Sequence, residues 1–230
     1  MSTSTKQTIV ITGANRGIGL AMVKLFKQRG CNVFALCRKS SKSLNALGVN
    51  VIEDIELTSQ QGINKAQSAL VNISIDVLIN NAGILKSEQL NTLNNKSIIE
   101  QFTVNALAPL SLTQALLSNL GASSKIVFIT SRMGSITDNE SGGYYGYRMS
   151  KAALNIAAVS LAKDLTNHNI SVGIYHPGYV KTDMVNNDGN LINGDISSEE
   201  AAHRLILLTD QQTMSNSGLF KHANGQSLAW

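Results

Sequence analysis

The sequence has two prolines in 230 residues, which leaves no material for a proline-rich linker or a polyproline arm. It has two cysteines, Cys31 and Cys37, too few for a disulfide scaffold and without the companion ligands that a zinc site needs at set spacings. Reduced thiols and a cytoplasmic location are expected. Charge is sparse: 15% of residues are Asp, Glu, Lys or Arg, below the usual quarter, which argues against disorder and against a coiled coil. The net charge of +4 comes from scattered residues, 19 basic against 15 acidic, so neither nucleic acid nor a membrane surface is expected as a partner. No apolar run approaches the ~18 residues of a membrane-spanning helix. The opening residues 1–7 are polar, so no secretory signal is expected. What is present is a 43% hydrophobic fraction, enough for one sizeable core.

Short β-branched runs alternate with longer helical patterns, without an internal repeat. That alternation predicts an α/β fold: a Rossmann-type, doubly wound parallel sheet of about seven strands flanked by helices, in one domain over 1–230. Strands are expected over 9–12, 33–36, 49–55, 76–79, 125–130, 170–175 and 218–221. A helix over 17–29 puts Ile18, Met22, Leu25 and Phe26 on one face, and Gly30 ends it. Thr58 or Ser59 can cap a second helix reaching about residue 70. A long helix over 97–120 carries Pro109, where a kink or break is expected. A strongly apolar helix is expected over 147–166. Ser197 with Glu200 three residues later reads as a capping box opening a helix to about residue 208.

Between the first strand and its helix runs Thr12-Gly13-Ala14-Asn15-Arg16-Gly17-Ile18-Gly19. Glycine permits the sharp turn and lets a pyrophosphate approach the backbone, and the following helix offers unpaired N–H groups at a positive dipole end. The spacing is G-x-x-x-G-x-G rather than the usual G-x-G-x-x-G. Its place between strand and helix makes it a candidate dinucleotide loop, against the bland reading of a plain βα turn. Cofactor choice is read at the end of the second strand. An NAD site places a carboxylate there for the ribose 2′-OH, whereas a 2′-phosphate calls for arginine. Ala35-Leu36-Cys37-Arg38-Lys39 holds no acid, and Arg16 can approach from the loop, so NADP(H) is expected. The competing reading leaves Arg38 and Lys39 as solvated loop charges.

Tyr147 and Lys151 stand four apart at the start of a helix and share a face. A tyrosine with a pKa of about 10 is a poor proton carrier at neutral pH. A neighbouring ammonium and an oxidised nicotinamide would favour the phenolate. A shift of about three pKa units requires roughly 4 kcal/mol, which two close cations in a partly dry site can supply. Further residues follow in order: Asn80-Asn81-Ala82-Gly83 after the fourth strand, Asn105 in the long helix, Ser131 closing the fifth strand, and Pro177-Gly178 after the sixth. With these motifs in this order, the sequence resembles the short-chain dehydrogenase/reductase family, in its single-domain branch, from Thr8 to Trp230. The stretch 147–155 and the ending Gly225-Gln226-Ser227-Leu228-Ala229-Trp230 are most similar to C-factor-like proteins and small carbonyl reductases.

The resemblance implies roles position by position. Tyr147 would be the general acid in carbonyl reduction, and the base in alcohol oxidation. Lys151 would lower its pKa and bind the nicotinamide ribose. Ser131 would hold the substrate oxygen, and Asn105 would anchor a water relaying protons to Lys151. Gly13, Asn15, Arg16, Gly17, Ile18, Gly19 and Arg38 would surround the pyrophosphate and 2′-phosphate. Asn81, Ala82 and Gly83 would pass beside the ribose and nicotinamide. Pro177, Gly178, Val180 and Thr182 would hold the nicotinamide end. An acid after the third strand would meet the adenine. Within Glu53-Asp54-Ile55-Glu56 either Asp54 or Glu56 could serve, with Asp54 and the Ile55 backbone preferred.

Rivals exist for several roles. Tyr144 and Tyr145 compete with Tyr147, but their i+4 neighbours are Arg148 and Met149 rather than lysine. Ser135 competes with Ser131, which closes a strand at the carboxyl edge where open α/β sheets bind ligands. His176 is read as a packed or cofactor-flanking residue, and His168, His203 and His222 as surface residues. The expected function is NADPH-dependent reduction of a small aldehyde or ketone. The alternatives are a regulatory NADP-binding protein of the C-factor type and a β-ketoacyl reductase whose basic patch would use Arg132 and Arg148. The stretch 181–198 is short and polar, with Met184, Leu191 and Ile192 its main apolar residues, which suggests an open site of modest selectivity. Apolar faces over 106–117 and 152–161 would allow a homo-oligomer or pack on the sheet.

Overall fold

The β-branched runs form seven parallel strands: β1 (Thr8–Thr12), β2 (Asn32–Leu36), β3 (Asn50–Ile52), β4 (Ile75–Asn80), β5 (Leu120–Ile129), β6 (Ser171–His176) and β7 (Phe220–His222). The structure is a computed structural model, and it describes residues 6–182 and 194–230. Strand order is β3-β2-β1-β4-β5-β6-β7. The chain builds outward one way from β1, then returns beside it at β4 and builds the other way. The crevice beyond the carboxyl ends of β1 and β4 is therefore the topological switch point, where such sheets bind ligands.

Helices α1 (Gly17–Gln28), α2 (Lys42–Asn45), α3 (Gln60–Ala69), α4 (Asn95–Phe102), α5 (Ala108–Ala115), α6 (Tyr145–Asp164) and α7 (Ser198–Asp210) connect the strands. Successive strand residues point to opposite faces, and both faces are covered. Ile9 and Ile11 pack with Met22, Phe26 and Leu205 of α1 and α7. Val10, Leu78 and Phe128 pack with Leu112 and Leu154 of α5 and α6. Among the described residues no helix is long and apolar enough to cross a membrane.

Several expectations are corrected. The third strand stops at Ile52 instead of continuing to residue 55, because Asp54 takes a left-handed conformation with φ +56°. The N–H groups of Asp54 and Ile55 turn back to the carbonyls of Arg38 and Cys37, both at 3.0 Å. The long helix is two helices joined by a π turn, Thr103–Leu107. Pro109 lacks the N–H that would bond the Asn105 carbonyl, and the ladder relaxes ahead of it: the Ala108 N–H reaches back five residues to Thr103. That segment also ends early, since β5 already begins at Leu120, paired with Ile75. Ser59 rather than Thr58 caps α3, its hydroxyl accepting from Gly62 N–H at 3.0 Å. Ser197 caps α7, but the box is half made: the Glu200 carboxylate bonds Arg204 at 2.7 Å. Helix α2, capped by Ser41, was not expected. Met184, Leu191 and Ile192 lie outside the described residues.

Candidate active site

The Gly loop leaves β1 at the switch point. Gly13 and Gly17 have φ of +64° and +53°, and a Cβ on Gly13 would stand 2.9 Å from Ala82 Cα. The loop after β4 thus lies directly against the loop after β1. Thr12, buried at the end of β1, joins them: its hydroxyl accepts from the N–H groups of Asn81 and Ala82, each at 3.0 Å. Asn81 Nδ2 returns bonds to the carbonyls of Thr12 at 2.9 Å and Gly13 at 3.3 Å. Helix α1 opens here with no side-chain cap on Arg16 and no acid in its first turn, which leaves its N–H groups and dipole to an anion.

A cavity of about 820 Å³ runs along this edge, a size suited to a large small-molecule ligand. Gly13, Asn15, Arg16, Gly17, Ile18, Gly19, Arg38, Ile55, Asn81, Ala82, Gly83, Pro177, Gly178, Val180 and Thr182 line it, with Ser131, Tyr147 and Lys151. Asn15 ties the Gly loop to the end of β2, its amide donating to the Lys39 carbonyl at 3.0 Å. Arg38 is 72% exposed and lies 3.7 Å from the Glu56 carboxylate. Lys39 is exposed and stands outside the cavity wall. Asp54 is a correction: its left-handed backbone aims the carboxylate at Lys65 Nζ, 3.0 Å away, and Ile55, Glu56, Leu57 and Thr58 form the wall instead. The sequence missed Leu57 and Thr58. No local signal could have found them, because the left-handed torsion at Asp54 that shifts the wall along the chain is visible only in the structure. Val180 is held by a parallel bridge to Ile196.

Of the four residues expected to act in the reaction, Ser131, Tyr147 and Lys151 line the cavity, and Asn105 stands behind Gly83 rather than on the wall. Asn105, 1% exposed in the π turn, accepts from Ile84 N–H at 2.8 Å and donates to the Ile84 carbonyl at 2.8 Å and to Ser150 Oγ at 3.0 Å. A Cβ on Gly83 would lie 3.2 Å from Asn105 Oδ1 and 3.7 Å from Lys151 Nζ. Asn105, Gly83 and Lys151 therefore meet at one point. Lys151 is buried, donates to the Ile129 carbonyl at 2.9 Å, and its ammonium lies 5.8 Å from the centre of the Tyr147 ring. Ser131 lies two residues beyond β5, where its hydroxyl caps a short turn by accepting from Met133 N–H at 3.2 Å, and it shares the cavity wall with Tyr147.

Burial pushes the Tyr147 phenol up to about 12, opposed by the Ser131 hydrogen bond. Among the protein's own groups, desolvation of the phenolate outweighs the Ser131 hydroxyl. Tyr147 keeps its proton at neutral pH. The same burial pushes Lys151 down to about 8.

The rivals sit elsewhere. Tyr144 occupies a left-handed N-cap and Tyr145 the first helical position, and neither lines the cavity. Ser135 accepts from Asp138 N–H at 3.0 Å within its own loop. His176 lines the cavity with Nδ1 buried and unpartnered, and burial pushes it down to about 3, so it is neutral. His222, expected at the surface, is half-buried and packs edge-on against His176 at 5.1 Å. His168 and His203 are exposed. Ile84, Leu85, Val104, Met133 and Tyr179 add apolar side chains to the cavity wall, and Arg132, also on the wall, is bonded to Asp138.

Residues 7–191 match the short chain dehydrogenase family. The chain is 33% identical over 225 residues to 1-hydroxy-2-glutathionyl-2-methyl-3-butene dehydrogenase of Rhodococcus, covering 97% of this chain and 99% of that one. It is 38% identical over 159 residues to C-signal of Myxococcus xanthus, covering 68% and 93%. Its fold superposes on the NADPH-bound carbonyl reductase from chicken fatty liver with a TM-score of 0.87 at 29% identity, covering 98% and 99%.

Proposed function

The chain belongs to the short-chain dehydrogenase family and is an oxidoreductase, and from that premise we propose that it is an NADPH-dependent carbonyl reductase, one domain over 1–230, acting on a small aldehyde or ketone. One observation carries the reading: Ser131, Tyr147 and Lys151 line the same cavity as the Gly loop. When bound, the nicotinamide cofactor supplies the hydride. The Gly13–Gly19 backbone and the N-terminus of α1 would hold its pyrophosphate, and Arg16 and Arg38 its 2′-phosphate. Glu56, rather than Asp54, would face the adenine. Ser131 would bond the substrate carbonyl oxygen and stabilise charge developing there. Tyr147 would give that oxygen a proton. Lys151 would orient the ribose and, with Asn105, replenish the proton of Tyr147. The apolar wall of Leu85, Val104, Met133 and Tyr179 would take the substrate's carbon skeleton.

The NADPH-bound structural relative supports the cofactor assignment. β-Ketoacyl reduction on an acidic carrier is disfavoured, because its two candidate docking cations are engaged internally. Arg132 bonds Asp138, and Arg148 donates to the Met133 carbonyl and to Ser141. A regulatory NADP-binding protein is the second reading, favoured by the 38% identity to C-signal. NADPH consumption against a panel of aldehydes, ketones and diketones separates them, with Tyr147→Phe alongside. The variant is expected to lose roughly 100- to 10,000-fold in kcat and to bind NADPH within about threefold of the parent, since the phenol adds a single hydrogen bond to cofactor binding. Turnover retained in Tyr147→Phe overturns the mechanism. NADPH binding without any turnover by the parent favours the regulatory reading.

A further inference from the structure

One buried acid is not used by the reaction described above. Glu88 lies in the irregular segment between β4 and α4, 2% exposed. It has no cationic partner among the ion pairs of the described residues. A buried carboxylate without a counter-ion is costly unless donors surround it. Glu88 has three. Its Oε1 accepts from the Ser97 hydroxyl at 2.5 Å and from the Gln101 amide at 2.7 Å, both on α4. Its Oε2 accepts from the Gly146 N–H at 3.1 Å, in the first turn of α6. The backbone adds a fourth contact, the Glu88 carbonyl accepting from Tyr144 N–H at 2.8 Å.

Each partner is itself fixed. Gln101 is fully buried, and its oxygen accepts from Lys86 N–H at 2.8 Å, which turns its NH₂ toward Glu88. Gly146 has no room for a side chain: a Cβ there would stand 2.5 Å from Gln101 Nε2 and 3.0 Å from Ile98 Cα. Tyr144, the N-cap of α6, offers no side-chain cap and sits at φ +50°. The cap that α6 lacks locally is supplied by Glu88 from 58 residues away. A carboxylate also suits the positive end of a 20-residue helix.

The two segments so joined are those that carry the reacting groups. Helix α4 runs into the π turn that holds Asn105, and Gly146 precedes Tyr147. Asn105 in turn reaches α6 through Ser150. We propose that Glu88 is a positioning residue, which locks the first turn of α6 to α4 and thereby sets Tyr147 against Ser131 and the Asn105–Lys151 end of the cavity. This rests on the carbonyl reductase reading for its kinetic consequence, but not for its structural one.

The test uses Glu88→Ala and Glu88→Gln in the full chain, with kcat, KM and NADPH affinity measured beside amide hydrogen exchange at residues 145–148. Misplacing a reacting group by about 1 Å costs up to roughly 100-fold in rate. Glu88→Ala is expected to lose roughly 10- to 100-fold in kcat. NADPH affinity should stay within about threefold, because Glu88 lies outside the cavity wall. Glu88→Gln keeps the shape and part of the bonding, and is expected to recover a measurable part of the loss. Exchange at 145–148 should accelerate in Glu88→Ala while the amides of β4 and β5 stay protected. A folded Glu88→Ala with kcat within twofold of the parent, or with unchanged exchange at 145–148, overturns the proposal. So does equal weakening of kcat and NADPH affinity, which marks a general loss of structure. If Glu88→Ala does not fold, Glu88→Gln with parental kcat and exchange overturns it alone. If the parent turns over no carbonyl, the carbonyl reductase reading fails, and the exchange measurement still decides whether Glu88 holds the helix.

Discussion

Gly19→Ala sets two physical effects against each other. Gly19 sits in the first turns of α1, where alanine is the better helix former by about 1 kcal/mol. Space opposes the change. A Cβ there would stand 2.2 Å from the Gly13 carbonyl oxygen and 2.7 Å from Asn81 Nδ2, against ordinary contact from about 3.4 Å. Neither neighbour yields cheaply. Asn81 Nδ2 is held by the carbonyls of Thr12 and Gly13, and the Gly13 carbonyl belongs to a backbone turned to φ +64°. Relief needs a movement of about 1.2 Å, the shortfall of 2.2 from 3.4 Å, in the loop proposed to hold the pyrophosphate. Overpacking of this kind costs about 1–3 kcal/mol, so the helical gain is offset and stability falls by roughly 0–2 kcal/mol. Cofactor binding suffers more. Losing one hydrogen bond to a charged phosphate costs about 1.5–3 kcal/mol, which corresponds to an NADPH Kd raised roughly 10- to 100-fold. The assay is a fluorescence titration with NADPH beside a thermal melt. Gly121→Ala serves as control, since a Cβ there meets nothing within 4 Å. A folded Gly19→Ala with Kd within twofold of the parent would refute this account of the loop.

Three further outcomes are expected. Lys151 has a folded pKa of about 8 against an ordinary 10.5, so the unfolded chain binds more protons between these values and stability rises with pH there. That contribution is complete above 10.5 and is lost as pH falls through 8. Comparing parent and Lys151→Met by denaturant unfolding at pH 8 and 9.5, the parent should gain on the order of 1–2 kcal/mol more than the variant; parallel pH dependences would contradict the burial of a charged amine. Arg38→Ala should raise the NADPH Kd about tenfold through one lost charge-assisted bond and leave NADH unchanged, and equal effects on both would remove Arg38 from the 2′-phosphate. Cofactor titration of Asp54→Asn should give a parental Kd, because its carboxylate lies on Lys65, whereas Glu56→Gln should weaken binding; the reverse ranking would restore Asp54 to the adenine.

The elements legible in the sequence were those set by near neighbours. β1 and α1 were read within a residue or two, because a β-branched run, a Gly-rich turn and a 3.6-residue apolar spacing are local signals ended by Gly30. The Tyr147/Lys151 pair and the loop after β4 were equally legible, since spacing alone puts them on one face or at one strand end. Boundaries failed where one residue's conformation overrode propensity. Nothing in Glu53-Asp54-Ile55 announces that Asp54 will adopt φ +56°, yet that single torsion ends β3 and replaces Asp54 by Glu56 on the cavity wall. Pro109 marked an irregular helix, but its form depended on Asn105 finding partners on Ile84 and Ser150.

By itself the sequence determined the layered α/β architecture, while the candidate dinucleotide loop and the candidate proton-moving groups came from an order of motifs that resembles the short-chain dehydrogenases. The architecture follows from composition and period, which are local. Tertiary structure alone decided how those groups behave. The direction of the Tyr147 pKa is set by how completely the fold removes water from the phenol, and no spacing encodes that. The acid that caps the helix carrying Tyr147 comes from 58 residues away. Its role is a matter of which donors the folded chain brings around a carboxylate, and contacts at that range exist only once the sheet and its two layers of helices are assembled.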